Sequence, residues 1–551
     1  MEKVRKLVQK YRIGLLIVTL ILGIQIWKAG DLVDFEPLQT QRTYNILPVL
    51  LPISSLASAN TSEAGNNISG RERIDAFVTE QMKRHGVPGL ALALVDGNQV
   101  IFMKGYGKAD QTGRPITPQT PFILASVSKP ITAVAVMQLV DAGKIELDAP
   151  VQRYLPEFRL ADPAASSQIT VRHLLLHTSG IPNTACDTRI NAETLAEYVA
   201  ELQTVKLNSL PGTRHDYCSG NYNVLGRLVE MISGQIFGEY VQQNIFTPLD
   251  MQHSFSSEEQ AQDAGMANGY QWLFGLSIPT HHRYNTSQLP SGYMISSAED
   301  MSHFLISQLN QGQYLDTQIL SGESISAMQI PGTKRGDDGG YGFGWVIAPK
   351  GGVPAVWHDG VNVNFHSLLL MEPEKRRGMV VLMNSFGIVP YESAYKEIEE
   401  GMVRLLADLE PAQSSQSLGT VYLIIDILLI MILAVALLPL LRIRTWHRWL
   451  LARQQAGNLP WVRVCLRAAW EIGFALLFLI GIRSFIVTGL GGQSWYEVLT
   501  VFPDFVIWIW AFAFAVLSTG LIRMKLIFQT RRAGEGKDQK LITDTTVVRS
   551  L

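Results

Sequence analysis

From Val421 to Leu441 the chain is an almost unbroken run of Leu, Ile, Val and Ala, which a water-facing fold could place only by burying every side of it at once. At 1.5 Å of rise per helical residue the run can cross a bilayer core of about 30 Å. Two more candidate spans follow, Ala468–Leu490 and Phe502–Ile522, the first weakened by Glu471 and Arg483. Arg442, Arg444, Arg448, Arg453, Arg463 and Arg467 lie between the first two runs, and Arg523, Lys525, Arg531, Arg532, Lys537 and Lys540 follow the third. Gly491–Val501 carries no Lys or Arg. Positive charge stays cytoplasmic, so the expected arrangement is a multi-pass protein of the cell membrane whose residues between Trp27 and Val421 face outward. The amino-terminal end agrees: the apolar run Ile13–Trp27 sits behind Lys3, Arg5, Lys6, Lys10 and Arg12, the layout of a signal peptide or a signal anchor. A second apolar patch, Ile46–Ala59, is broken by Pro48 and Pro52 and reads as a linker or surface-lying segment. Within the membrane, Asp426 and Arg483 fall at matching depths, so they either pair or Arg483 snorkels to the headgroups.

The expected divisions are residues 1–67, 68–412 and 413–551. Composition removes several classes for the outer part. Hydrophobic residues at 47% are ample to bury a core, which excludes disorder as the main state. Lys+Arg 46 against Asp+Glu 48 leaves no basic footprint for nucleic acid. With 3 Cys, and with 11 His lacking paired ligand spacing, no metal or cofactor is expected.

Residues 68–412 open with an amphipathic helix near Ile74–His85, then strands Leu90–Val95 and Gln99–Lys104 around an Asp96-Gly97 turn. The middle reads as helices and long loops. Strand-like runs return at Phe343–Ala348, Ala355–His358, His366–Met371 and Met379–Met383, followed by a helix over Tyr391–Leu409. Strands at both ends with helices between them predict an α+β fold, an antiparallel sheet completed by the two ends of the segment and carrying a helical subdomain.

The first chemical signal is Ser126-Val-Ser128-Lys129-Pro130, leading into the apolar stretch Ile131–Ala142. Pro130 belongs in a first helical turn, so Ser126 sits at a helix N-terminus with Lys129 three residues on, along the same face. A serine hydroxyl becomes a useful nucleophile when a neighbouring base takes its proton. The spacing alone is weak, and Ser393-Ala-Tyr-Lys396 repeats it on what reads as a solvated helix face. Downstream of Ser126 alone come Thr170-Val-Arg-His-Leu-Leu-Leu-His177-Thr-Ser-Gly180, Tyr217-Cys-Ser219-Gly-Asn-Tyr222, Tyr341-Gly-Phe-Gly-Trp345 and Trp357-His358-Asp359-Gly360.

That ordered set resembles the serine β-lactamase and penicillin-binding-protein-like family, in its class C β-lactamase and esterase branch, over nearly all of residues 70–410. The resemblance implies a β-lactamase/transpeptidase-like fold and an acyl-enzyme mechanism. It makes Ser126 the nucleophile, Lys129 its proton-relay partner and Tyr217 the phenol that shuttles the proton. The backbone N–H groups of Ser126 and Val361 would form an oxyanion hole. Ser219, His358, Asp359 and Gly360 would line the substrate side, His358 beside a carboxylate or carbonyl and Asp359 in a local salt bridge or turning anionic substrates away. Ser219 stands where Asn is usual, and His358 replaces a permanent cation with a group mostly neutral at pH 7. Both departures point from an efficient β-lactamase toward an esterase, amidase or D-peptide hydrolase. His173 and His177 are expected to fix a loop by hydrogen bonds, and His281-His282 reads as a loop pair. Cys186 and Cys218 either form a disulfide in the oxidising outer space or remain separate thiols, while Cys465 falls on the cytoplasmic side. The expected partners are a small-molecule or peptide substrate and the lipid bilayer. The competing reading is a noncatalytic sensor or scaffold that binds cell-wall fragments or β-lactams.

Overall fold

The computed structural model describes residues 70–183, 192–336, 339–412, 416–489 and 503–548. The amino-terminal apolar segments and Cys186 lie outside the described residues, as does the side chain of Arg483. The described chain begins with α1 (Gly70–His85) and the hairpin of β1 (Gly89–Asp96) and β2 (Gln99–Gly107). Helices α2 (Ser128–Asp141) and α3 (Ser219–Ser233), the hairpin of β3 (Gly269–Leu273) and β4 (Leu276–Thr280), and α4 (Ala298–Leu309) occupy the middle. Strands β5 (Thr333–Arg335), β6 (Gly339–Tyr341), β7 (Val346–Ile347), β8 (Val356–Val361), β9 (His366–Glu372) and β10 (Arg377–Met383) follow, then helix α5 (Lys396–Leu406).

The main sheet is antiparallel, in the order β2-β1-β10-β9-β8-β7-β6-β5. As expected, strands from the two ends of the domain meet in its centre, with Leu90 opposite Met383 and Leu94 opposite Met379. β1, β9 and β10 are buried on both faces, which is why they read as continuous apolar runs rather than alternating ones. Their period of two still sorts the two layers. Leu90, Leu92, Leu94, Leu368, Leu370 and Val381 pack with Ile74 and Val78 of α1 and Ile398 and Met402 of α5. Ala91, Ala93, Leu369 and Val380 face the helical layer that contains α2, α3 and α4. α1 itself carries Glu72 in its first turn and Lys83, Arg84 and His85 in its last, the charge order that suits the helix dipole.

The first layer also encloses charge. Glu399 of α5, fully buried, pairs with Lys350 at 2.8 Å and with His366 of β9. Nearby, the Tyr391 hydroxyl donates to the Asp359 carboxylate at 3.0 Å. Burial alone would raise the pKa of Glu399, but the Lys350 and His366 charges outweigh it and hold it below the usual value.

Beyond the domain come α6 (Leu418–Leu441), α7 (Ile443–Gln455), α8 (Trp461–Gly489) and α9 (Pro503–Val548). Segments of these make 3 helices long and apolar enough to cross a membrane, Leu418–Gln455, Trp461–Ile482 and Pro503–Ala533. Ser417 caps α6 by accepting the Thr420 N–H, and the chain leaves α6 at Arg442, just after Pro439. Among the described residues, Glu471 of α8 pairs with Arg523 of α9. Asp426 is buried near Asp504 and Trp508, and its expected partner Arg483 has no described side chain.

Replacing Glu399 by Ala leaves Lys350 buried with its carboxylate partner gone, and removing one partner of such a pair typically costs roughly 3–5 kcal/mol. Thermal unfolding of the full chain in detergent should show a large drop for Glu399→Ala; an unchanged melting temperature would contradict that role.

Candidate active site

The strand Phe122–Ile123 delivers the chain into a tight turn, Ala125–Val127, that runs straight into α2. Ala125 sits at φ +47°, a region that L-residues avoid, so this turn persists only because its surroundings hold it. On one side the Leu124 N–H donates to the Met294 carbonyl at 2.8 Å, and the Met294 N–H donates to the Ser128 hydroxyl at 3.2 Å. On the other, Ser367 of β9 donates its hydroxyl to the Leu124 carbonyl at 2.6 Å. Gly360 of β8 lies so close that an added Cβ would run into the Leu124 carbonyl and the Ser367 hydroxyl. Glycine is what lets the sheet edge approach the Ser126 turn.

Lys129 is the second residue of α2 and is fully buried. Its Nζ reaches three acceptors: Ser126 Oγ at 2.9 Å, the Ser291 carbonyl at 2.6 Å and Ser219 Oγ at 3.4 Å. The amine also lies over the Tyr217 ring, 5.0 Å from its centroid, and 5.9 Å from that of Tyr222. The Tyr217 hydroxyl is buried and faces Ser126 without reaching hydrogen-bond geometry. Burial raises its pKa, and the Ser126 contact opposes that rise.

The loop histidines behave as their setting predicts. His177 Nδ1 accepts the Cys218 N–H at 3.2 Å and lies 3.1 Å from the Asn221 amide, whose oxygen accepts the Ser179 hydroxyl at 2.7 Å. The His177-Thr-Ser179 segment thus pins the start of α3, and with it Tyr217 and Ser219. Two acceptor contacts at Nδ1 put the ring proton on Nε2. His173 accepts the Thr170 N–H and completes a capping box.

The third motif departs from expectation. His358 pairs with Leu369 across the sheet, so its ring enters the helical layer beside Tyr217 and Tyr341. There it is 2% exposed, with Nδ1 donating to the Asp359 carbonyl at 2.6 Å and Nε2 accepting from Tyr341 Oη at 3.1 Å. Both ring nitrogens are committed internally, so the ring offers no free N–H to a substrate carboxylate. Burial, aided by the Lys129 charge, pulls its pKa down to about 4. Burial and the Arg335 charge do the same to His215, also to about 4.

Asp359 is opposite Leu368 and therefore belongs to the other face, where Tyr391 holds it away from the Ser126 side. Burial would raise its pKa, but Lys350, His358 and His366 hold it below the usual range. Of its two expected roles the local charge pairing fits and the substrate contact does not, because strand alternation forbids neighbours from sharing a face. Ser219 turns to Lys129. Val361, 42% exposed, ends β8 next to the Ser126 turn. Cys218 is disulfide-bonded and Cys465 carries a free thiol; the expected partner, Cys186, lies outside the described residues.

Several contributors carried no sequence signal of their own. The Ser291 carbonyl is a backbone atom that any residue could supply. Tyr341 stood inside a recognised motif without a role, and now bridges His358 to the ring cluster of His177, Tyr217 and Tyr222. A cavity of about 320 Å³ is lined by Ile123, just ahead of the Ser126 turn, by Asn362, which follows Val361, by Tyr293 and Phe365, and by Gly269 and Thr280 of the β3–β4 hairpin; Ser126 and Lys129 do not themselves line it. The His281-His282 pair borders it, His281 within 3.8 Å of Glu258.

An antiparallel sheet clasped between two helical layers, with a serine–lysine pair at the start of a buried helix, defines a serine hydrolase fold of the β-lactamase/transpeptidase type. The beta-lactamase family model matches residues 74–401, more than half of the chain, and the chain belongs to that family, which includes the penicillin-binding-protein-like serine hydrolases. Penicillin-binding protein 4 of Amycolatopsis lactamdurans is 35% identical over 314 residues, covering 55% of this chain and 81% of its own. Protein flp of Staphylococcus aureus (strain MRSA252) is 25% identical over 472 residues, 84% of this chain and 91% of its own, a longer stretch than the family domain. Among solved structures, the octameric penicillin-binding protein homologue from Pyrococcus abyssi matches with a TM-score of 0.53 and 27% identity, over 62% of this chain and 78% of its own.

Because His215 and His358 sit near 4 when folded and near 6.5 when unfolded, the unfolded chain binds more protons between those values. Stability should therefore fall as the pH drops from about 6.5 to about 4, and His358→Gln should flatten that slope. Melting temperatures measured across this window test it; an identical slope in wild type and variant would rule out His358 as a source.

Proposed function

We propose that this chain is a membrane-anchored serine hydrolase that works from outside the cytoplasm through an acyl-enzyme, on an ester, an amide or a D-amino-acid peptide. Its proposed chemistry uses the chain's own side chains and backbone N–H groups. The observation that carries the reading is the 2.9 Å contact between the fully buried Lys129 amine and the Ser126 hydroxyl.

A neutral amine has two N–H groups and one lone pair, so at least one of these contacts must then run the other way. The Ser291 carbonyl cannot donate. A serine hydroxyl can, and Ser126 is the nearer of the two. In the proposed first step the Ser126 proton passes to Lys129 while Oγ bonds to the substrate carbonyl carbon, and the negative charge moves to the carbonyl oxygen beside the Ser126 and Val361 N–H groups. As the C–O or C–N bond breaks, the leaving group takes a proton relayed through Tyr217. Water then adds to the acyl-enzyme, its proton returns by the same relay, and Ser126 is released. The departures at Ser219 and His358 support ester or D-peptide substrates over efficient β-lactam turnover, since no protonated His358 faces the cleft.

The outward placement is supported by the 3 apolar helices together with the basic loops at Arg442–Arg467 and after Arg523. A noncatalytic sensor is the alternative, favoured by the direct contact between the family domain and the membrane helices.

Intact-mass measurement after incubation with a fluorophosphonate, fluorescent penicillin and small esters in turn separates the two. Wild type and Ser393→Ala should gain one adduct, and Ser126→Ala none. Lys129→Ala should slow acylation by roughly 10²-fold or more, the effect of losing a general base. Unchanged labelling of Ser126→Ala sinks the hydrolase assignment, and stable adducts with no ester turnover favour the sensor.

A further inference from the structure

The β3–β4 hairpin has its two ends in different environments. Its tip lies among the membrane helices: the Phe274 N–H donates to Asp504 Oδ2 at 3.0 Å, in the first turn of α9, and the Phe274 ring meets Trp508 edge-on at 6.1 Å. Next to the tip, Trp272 stacks on Tyr422 of α6 at 6.5 Å and shares a small core with Leu418. Trp272 Nε1 also donates to the Tyr395 hydroxyl at 3.0 Å, tying the hairpin back to the domain. Gly275 at the turn, with φ +69°, approaches Tyr422 so closely that a Cβ would stand 3.1 Å from the tyrosine's own.

The other end of the hairpin is a wall of the cavity beside Ser126. Gly269 packs directly on Asn364, leaving no room for a Cβ, and Asn364 donates its amide to the Thr280 carbonyl at 2.9 Å. Phe365 stands edge-on to Phe122 at 6.4 Å, and Phe122 opens the segment that turns at Ala125. From the paired residues Gly269 and Thr280 to the tip is five residues of strand, or about 15 Å. A short, two-stranded hairpin clamped at both ends has little freedom to bend independently of either.

We infer that the β3–β4 hairpin is a strut through which the membrane helices set the shape of the cavity beside Ser126, and so select which acyl groups the site accepts. This rests on the hydrolase reading proposed above. Phe274, Trp272 and Asp504 are positioning residues in this scheme, and none touches the reacting atoms. The consequence for substrate class is direct. Acyl groups large enough to fill the cavity depend on the strut, whereas small acyl groups that never reach its wall do not.

The test uses the full chain in lipid nanodiscs and two probes, a small fluorophosphonate and an activated ester whose acyl group is a polar dipeptide large enough to fill the cavity. In Phe274→Ala and, independently, in Asp504→Asn, the acylation rate constant for the large ester should fall at least tenfold while labelling by the small probe stays within twofold of wild type. Phe274→Leu should recover most of the large-ester rate. Equal loss for both probes, or no loss for either, overturns the strut. Inert wild type with both probes overturns the hydrolase reading, and the strut as stated falls with it.

Discussion

A buried primary amine with three acceptors around it is the constraint that the rest of this site obeys. Lys129 cannot be left without hydrogen bonds in a layer shielded from water, because an unsatisfied buried donor costs the full desolvation penalty. Ser126, Ser219 and the Ser291 carbonyl therefore have to converge on it from separate parts of the chain. Each arrives with its own support. Ser126 is held by a turn with a positive φ, Ser219 by the pinned start of α3, and Ser291 by the segment whose neighbour Met294 is bonded to that same turn. Positioning the amine and positioning the Ser126 hydroxyl are thus one problem, solved once.

β8 performs the same double duty from the side of the sheet. His358 points into the helical layer and is fixed by Tyr341, Asp359 points the opposite way and is fixed by Tyr391, and Gly360 lets the strand close against Leu124. The strand is clamped on both faces, so Val361 at its end is placed by contacts that it does not make itself. The Lys350–Glu399–His366 group belongs to this clamp because His366 pairs with Val361 across the sheet.

Much of this was legible in the sequence, for identifiable reasons. The strands at both ends of the domain were readable because β1, β9 and β10 are apolar runs of strand length bounded by turns, and the apolar C-terminal helices because nothing soluble needs such sequences. The serine–lysine spacing was readable because helical geometry makes it a contact. β5 and β6 were not, since Thr333–Arg335 and Gly339–Tyr341 are short and carry no alternation. The β3–β4 hairpin escaped for a different reason: Pro279 and Gly269 argue against a strand by propensity, and the pairing is imposed by what surrounds it. The misplaced role for Asp359 was avoidable, because placing His358 inward already sends its neighbour outward.

The chain also contains its own control for how much a spacing can mean. Ser393 and Lys396 repeat the separation of Ser126 and Lys129, yet the Ser393 hydroxyl donates back to the Val389 carbonyl at 2.7 Å and Lys396 pairs with Glu392 at 2.6 Å on a solvent-facing turn. There the amine is paired with a carboxylate on an exposed face, apart from the enclosed layer that holds Lys129. Lys129 is shielded from solvent, and Ser126, Ser219 and the Ser291 carbonyl surround its amine. Enclosing the amine beside the serine in this way takes contributions from α2, α3, the Ser291 segment and the edge of the sheet together. The motif names two side chains; the chemistry belongs to the enclosure.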